Sequence, residues 1–494
     1  MPLKKQWTQA QRYRPYKEWP QEYFNALEQT VNASIWRLHY HIQPQTGLLN
    51  DPNGFSYFNE KWHVFYQSYP MGPVHGIKSW YHMSSANLVD WQAEGTTLLP
   101  DGPFDSHGVY SGSALPLDDK LFMAYTGNVR DETWQRHSYQ LGAFMTKDGQ
   151  IEKLEQPLIV APPAGYTAEF RDPQIFRYKE EYLLVIGAQN QEEAGEVLTY
   201  SSADLLNWTL IGNLRFTEEK MGFMVECPNL LIQDEFALLL FCPQGLDPAI
   251  CSYQNIYPNM YTIGERYDRT ENQLVNPSVI KNLDEGFDVY ATQAFIAPDN
   301  RMLAISWVGL PEIDYPTDQE NWAHCLSMVK ELTVKDQILY QQPVKEMVER
   351  RCTEPFNFEN NEAFFYDSQT NCYELNLTFE EGAVGTLTLF SHPEQNQGLM
   401  INFDSKHGKI KIDRSLAGVP FAEDYGQTRE FSIKKQALSL QIFVDSSVVE
   451  VFINEGQEVA TMRAFPSTEQ TGFQIDCSTN YTGTLWQLRK NTVL

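Results

Sequence analysis

Three short runs combine an acid with a proline or a cysteine-proline step: LNDPNG around Asp51, FRDP around Asp172 and ECP at Glu226. Taken singly, Asn-Asp-Pro-Asn-Gly is turn chemistry, because Pro52 presets φ and removes a donor, Asn53 tolerates left-handed geometry and Gly54 adopts it freely. The repetition asks for more, since each run leads straight into an apolar, strand-like stretch. Three acids gathered in one enclosed site are costly unless protonation or a ligand accounts for them. Calcium is one account, although hard-cation sites draw closely spaced oxygen ligands from one loop. A pair of carboxylates flanking a glycosidic bond is a better one: a retaining glycosidase needs a nucleophile and an acid/base of raised pKa, about 5 to 5.5 Å apart. Glu226 stands among Met221, Phe223, Met224, Val225, Cys227 and Pro228, apolar neighbours that favour its protonated form, and reads as the acid. Asp51 is flanked by Asn50 and Asn53, donors that would keep it ionised, and reads as the nucleophile.

Acids so far apart in sequence meet only if a repeating architecture brings them together. From residue 40 to about 340 the chain repeats one pattern: a polar start, an apolar strand, a polar turn and a second apolar strand. The markers Asp51, Ser111, Asp172, Glu226 and Thr292 recur at intervals of 54 to 66 residues, and SSANLVDW (84–91) and SSADLLNW (201–208) follow two of them. Units of about four strands that cannot bury their own faces predict an all-β chain with a five-bladed β-propeller, whose innermost strands converge their starts on one pocket. A sandwich array would not place one polar start per repeat so regularly.

The motifs also carry a resemblance. LNDPNG (49–54), YSGSA (110–114), FRDP (170–173) and ECP (226–228) match, in order and spacing, the motifs of β-fructofuranosidases of glycoside hydrolase family 32, the invertase and levanase family, from about residue 36 to the end. The resemblance implies a five-bladed propeller followed by a β-sandwich. It also implies that Asp51 is the nucleophile, Asp172 a transition-state stabiliser and Glu226 the acid/base, with Leu49, Asn50, Gln67, Trp80, Tyr110, Ser111 and Arg171 forming the fructose pocket. Two positions depart from the family pattern: Tyr110 stands where Phe is usual, and Val329-Lys330 replaces a common Pro-Arg step. Arabinanases and xylosidases share the fold logic and lack this motif series.

The loop SYPMGPVHGIKS (68–79) follows the second strand and would overhang the leaving-group side. It is similar to the loop of family members that act on sucrose 6-phosphate more than to that of secreted invertases and levanases. Its only basic residues, His75 and Lys78, are candidate phosphate-binding groups, since a dianion approaching a protein of net charge −27 needs local cations. The expected substrate is therefore sucrose 6-phosphate or sucrose. The alternatives are short fructo-oligosaccharides or, in a different class, a non-catalytic sugar-binding protein.

Composition bounds the rest. The 494 residues exceed what one core serves, and 37 basic against 64 acidic residues argue against nucleic acid or an anionic membrane surface. No cofactor or metal is expected, the partner is a small-molecule carbohydrate, and the oligomeric state is open. Seven scattered cysteines without a C-x-x-C and a start without an apolar run read as a cytoplasmic chain. The expected divisions are a helical extension over 1–36, the propeller over 37–340, a linking helix over 341–354 begun at Pro343, and a sandwich of some eight strands over 355–494. Residues 20–36 predict one amphipathic packing helix with Tyr23, Phe24, Leu27, Val31 and Ile35 on its apolar face. Sandwich acids such as Glu450 are expected to face solvent.

Overall fold

The computed structural model describes residues 3–4, 6–394 and 397–490. A short helix, Gln9–Arg12, closed by a Thr8/Gln11 capping box, precedes the expected helix, which runs Gln21–Asn32 and buries Tyr23, Leu27 and Val31. The predicted helix overruns at its end: Ala33 caps it through Thr30 and Val31 carbonyls, and Ile35 lies exposed beyond it.

The strands that follow form antiparallel sheets, each starting from one inner strand: Gly47–Phe58, Val109–Pro116, Tyr166–Tyr178, Met224–Ile232 and Val289–Ile296. The NDPNG run lies within the first of these strands and is not a free turn. The two S-S-A-x-L segments are both the turn between third and fourth strands of a sheet, with Leu88 and Leu205 left-handed. The chain closes on itself where Trp322–Ala323 pairs in parallel with Gly47 and Leu48.

Neighbouring inner strands belong to different sheets, so side chains rather than ladders join them. Asn53 accepts from the Gly112 N–H, and Ser113 donates to the Pro173 carbonyl while accepting from the Ile175 N–H. Gln174 accepts from Leu230 N–H, Asn229 from Ala294 N–H, and Gln293 from Phe55 N–H, which returns the series to the first strand. All five side chains are buried, and Asn53, Gln174, Asn229 and Gln293 line a narrow cavity between the inner strands. Each is a polar side chain paired where an orphan N–H would be costly.

The C-terminal part holds two six-stranded sheets, more than the eight strands expected, because the edge strands Phe356–Asn360, Glu458–Arg463, Phe364–Asp367 and Thr428–Ser432 also pair. Leu375, Leu387, Ile401, Ile442, Val451 and Ile475 form part of the core between them. The linking helix is a 3-10 turn, Lys345–Arg350; Pro343 ends the strand before it, since the chain is still in a ladder there.

Glu450 does not face solvent. It is fully buried, accepting from His41 Nε2 (3.0 Å) and the Met328 N–H (2.6 Å) and pairing with Lys330 Nζ (3.2 Å). Asp445 holds the other His41 nitrogen at 2.9 Å and takes the N–H groups of His39, Tyr40 and His41. The sandwich thus binds the stretch leading into the Asp51 strand, and one apolar cluster runs from Tyr40 and Trp307 to Phe443 and Phe452. Burial acts to lower the His41 pKa, but the two carboxylates outweigh it and raise it. Burial likewise acts to raise Glu450, but Lys330 and His41 draw it down to about 2.

Two stability outcomes follow from these contacts. Gln293→Leu orphans the Phe55 N–H and should cost about 1–3 kcal/mol, read from the denaturation midpoint. Because the folded pKa of His41 lies above its unfolded value of about 6.5, its stabilisation is complete below that pH and is lost as pH rises through the folded pKa. Thermal melts from pH 6 to 9 should show this loss in the wild type and not in His41→Gln.

Candidate active site

Every inner strand is irregular at the same level. Register shifts fall between Leu49 and Pro52, Val109 and Gly112, Arg171 and Gln174, Glu226 and Asn229, and Tyr290 and Gln293. Such bulges break the period-two alternation and re-aim side chains. They let Asn50 and Asp51, neighbours that a regular strand would point to opposite faces, meet at 3.0 Å. Prolines 52, 173 and 228 occur here because a bulge tolerates a missing N–H. Asp172 is left-handed, with φ of +69°, and Cys227 has φ of +48°. Strain of that kind, costing on the order of 1–3 kcal/mol per residue, concentrates at functional sites.

The three acids converge. Asp51 Oδ1 accepts from Asn50; Oδ2 accepts from Ser111 and from Gln67 at 3.3 Å, and Gln67 also bonds Ser111 and Asn50. The Cys227 thiol lies 3.6 Å from Asp172 and 4.0 Å from Asp51, so one sulfur touches both carboxylates. The third and fourth inner strands are cross-linked reciprocally: Cys227 N–H donates to Asp172 at 3.0 Å, and Arg171 Nε donates to Glu226 at 2.9 Å. Tyr290 O–H donates to the other Glu226 oxygen at 2.5 Å, and Glu169 bridges Arg171 and Arg136. The acids are thus engaged by N–H and O–H donors, an arrangement unlike converging oxygen ligands on a cation.

Several expectations need correction. Glu226 is not in an apolar setting: Met221 and Val225 turn into a core cluster, Phe223 is exposed, and the carboxylate meets Arg171 and Tyr290. Burial outweighs the Ser111 and Asn50 donors and raises the Asp51 pKa, where donors alone would have lowered it. Asn53 bonds the Asp51 backbone carbonyl, not its carboxylate. Leu49 is fully buried in the core and presents only its carbonyl, which faces His324. Trp80 is also fully buried; its indole N–H holds the Tyr110 carbonyl at 3.0 Å and so acts behind the wall, with Arg136 over the Tyr110 ring. Lys78 is 3% exposed and donates to Asn50 at 2.5 Å, so it sits under the Asp51 cluster and not on an open rim. Burial lowers its pKa to about 7, opposed by Asp51.

A model of the glycosyl hydrolases family 32 N-terminal domain matches residues 41–343, and that of the family's C-terminal domain matches 339–490. The chain belongs to glycosyl hydrolases family 32. The chain is 48% identical to a sucrose-6-phosphate hydrolase of Pediococcus pentosaceus over 98% of this chain and 97% of that one. It is 47% identical to that of Streptococcus mutans over 94% and 96%. In structure it is similar to sucrose-6-phosphate hydrolase from Lactobacillus gasseri (TM-score 0.95, 45% identity, 99% and 100% coverage) and to a family 32 β-fructofuranosidase of Bombyx mori (0.83, 29%, 95% and 97%). The chain is thus a glycosidase with an all-β fold.

Tyr290, Glu169 and Arg136 escaped the motif reading. Tyr290 lies two residues before the Thr292 marker, and only the bulge turns its hydroxyl to Glu226. Burial, then the charge of Glu226, pushes Asp172 up to about 7, with Arg171 opposing. In this family 32 glycosidase, Glu226→Gln should therefore move the Asp172 titration to lower pH, measured by carbon NMR of labelled aspartate carboxyls.

Proposed function

We propose that the protein is a retaining β-fructofuranosidase that cleaves the terminal fructofuranoside bond of sucrose 6-phosphate and, less well, sucrose. The observation that carries the reaction is the pairing of Asp51, held by neutral donors, with Glu226, held by Arg171 and Tyr290, across a shared Cys227–Asp172 contact. The names of the relatives support the substrate.

Asp51 attacks the anomeric carbon of the fructosyl unit while Glu226 protonates the departing oxygen, leaving a fructosyl ester on Asp51. Glu226 then takes a proton from water as that water displaces the ester, and configuration is retained. Both Glu226 oxygens accept hydrogen bonds in the resting site, so when Glu226 carries its proton the Tyr290 oxygen becomes an acceptor or rotates away. Asp172, strained and held by the Cys227 N–H, binds sugar hydroxyls whose hydrogen bonds strengthen in the transition state. Asn50, Gln67, Tyr110, Ser111 and Arg171 line the fructose side; Trp80 supports it from behind. His75 bonds the phosphate, and Lys78 adds long-range charge while holding Asn50. The inner strands with their sheets, roughly 37–340, form five propeller blades, joined through 341–354 to a sandwich over 355–494. A phosphorylated substrate and seven unbridged cysteines favour the cytoplasm.

The first product should be β-fructose by NMR before mutarotation. Glu226→Gln should reduce turnover severely, least for substrates with an acidic leaving group. Sucrose 6-phosphate should exceed sucrose by at least about tenfold in kcat/KM, the value of one charge-assisted hydrogen bond. An inverted product would remove Asp51 as nucleophile, and equal rates on both sugars would remove the phosphate reading. Since Lys78 holds Asn50, Lys78→Ala should slow both sugars, whereas His75→Ala should affect the phosphorylated one more.

A further inference from the structure

The N-terminal segment does more than pack. Tyr16 O–H donates to the Ile77 carbonyl at 2.7 Å and lies 3.2 Å from Ser79 Oγ; Tyr23 O–H donates to the Met71 carbonyl at 2.9 Å; the Ile77 N–H donates to the Arg12 carbonyl at 2.8 Å. Gly72 and Gly76 are glycines for the same reason. A Cβ at Gly72 would stand 2.1 Å from the Trp7 ring, and one at Gly76 would stand 2.7 Å from the Arg12 carbonyl. The loop that carries His75 and Lys78 is therefore clamped along its length by residues 7–23. The same segment reaches the second sheet, where Tyr13 meets Trp134 edge-on at 5.1 Å and His107 at 5.9 Å.

That clamp brings basic groups together in a protein of net charge −27. Burial above all, and then Lys78, His324 and Arg12, push the His75 pKa well below the ordinary value, so His75 is a neutral donor. Lys78 is committed to Asn50 beside Asp51. Among the described residues, by contrast, the Arg12 guanidinium makes one long contact, 3.4 Å to the His75 carbonyl, and the buried His75 Nε2 has no hydrogen-bond partner. A guanidinium offers five N–H donors in a fork that fits phosphate oxygens.

We propose that Arg12 and the His75 imidazole form the phosphate end of the leaving-group subsite, making the N-terminal segment a specificity element. The inference rests on the proposed preference for a phosphorylated sugar and names the group that supplies it.

The test compares kcat/KM for sucrose 6-phosphate and sucrose in the full-length wild type, Arg12→Gln and Arg12→Lys, with inhibition by glucose 6-phosphate against glucose as a binding readout. Arg12→Gln should lower the preference for the phosphorylated sugar by about 10- to 150-fold and weaken glucose 6-phosphate far more than glucose; Arg12→Lys should recover part of both. A structural role would slow both sugars alike and leave both ratios unchanged, overturning the inference while the wild-type preference stands. A wild type without preference overturns the substrate reading and this inference together. Melting temperatures of both variants identify a folding defect, and in that event the glucose 6-phosphate to glucose inhibition ratio of the better-folded variant decides.

Discussion

The constraint on which the molecule depends is the joining of strands that cannot share a ladder. Adjacent inner strands belong to different sheets, so their backbone N–H groups would be orphaned at the centre of the molecule. Asn53, Ser113, Gln174, Asn229 and Gln293 each reach from one inner strand to the next and satisfy those groups. A buried donor left unpaired costs about 1–3 kcal/mol, so the series has to be complete. It also fixes the depth and rotation of each inner strand, and thereby the level at which every bulge, and each of the three acids, emerges.

The bulges convert that frame into chemistry. Regular strands would send alternate residues to opposite faces, and Asn50 with Asp51, or Arg171 with Asp172, could not both serve one pocket. With the bulges, Arg171 and Asp172 both turn to the Glu226–Cys227 pair, so the strands carrying Asp172 and Glu226 are held to each other by charge and by a backbone hydrogen bond. Burial then changes the acids. Asp172 is pushed up to about 7, a value that burial and the neighbouring Glu226 produce together.

The sandwich contributes from outside the pocket. Asp445 and Glu450 hold both nitrogens of His41, eight residues before Leu49, and Glu450 also pairs with Lys330, on a strand of the fifth sheet. A buried carboxylate–imidazole–carboxylate arrangement is weak evidence for net stability, because desolvation offsets attraction. Its geometric effect is firmer: it fixes where the chain enters the first inner strand. Lys330, which departs from the Pro-Arg step that the sequence resemblance leads one to expect, is committed to this buried pairing and to Asp284 at 3.8 Å.

The sequence by itself determined the identity and order of the acids. A proline or cysteine-proline step beside an acid marks a bulge, and its recurrence at similar intervals marks a repeated sheet, because both are local backbone requirements written in residue type. Glycines 72 and 76 and the two basic residues of their loop were visible for the same reason. Only the tertiary structure decided what those residues face. Tyr290 reaches Glu226 from 64 positions away, Arg12 reaches the His75 carbonyl from 63, and Glu450, the one polar residue of its strand, is buried against His41 and Lys330. Trp80 and Leu49, which the motifs placed in the pocket wall, lie behind it. Through-space partners and desolvation depend on which strands become neighbours, and no local pattern encodes that.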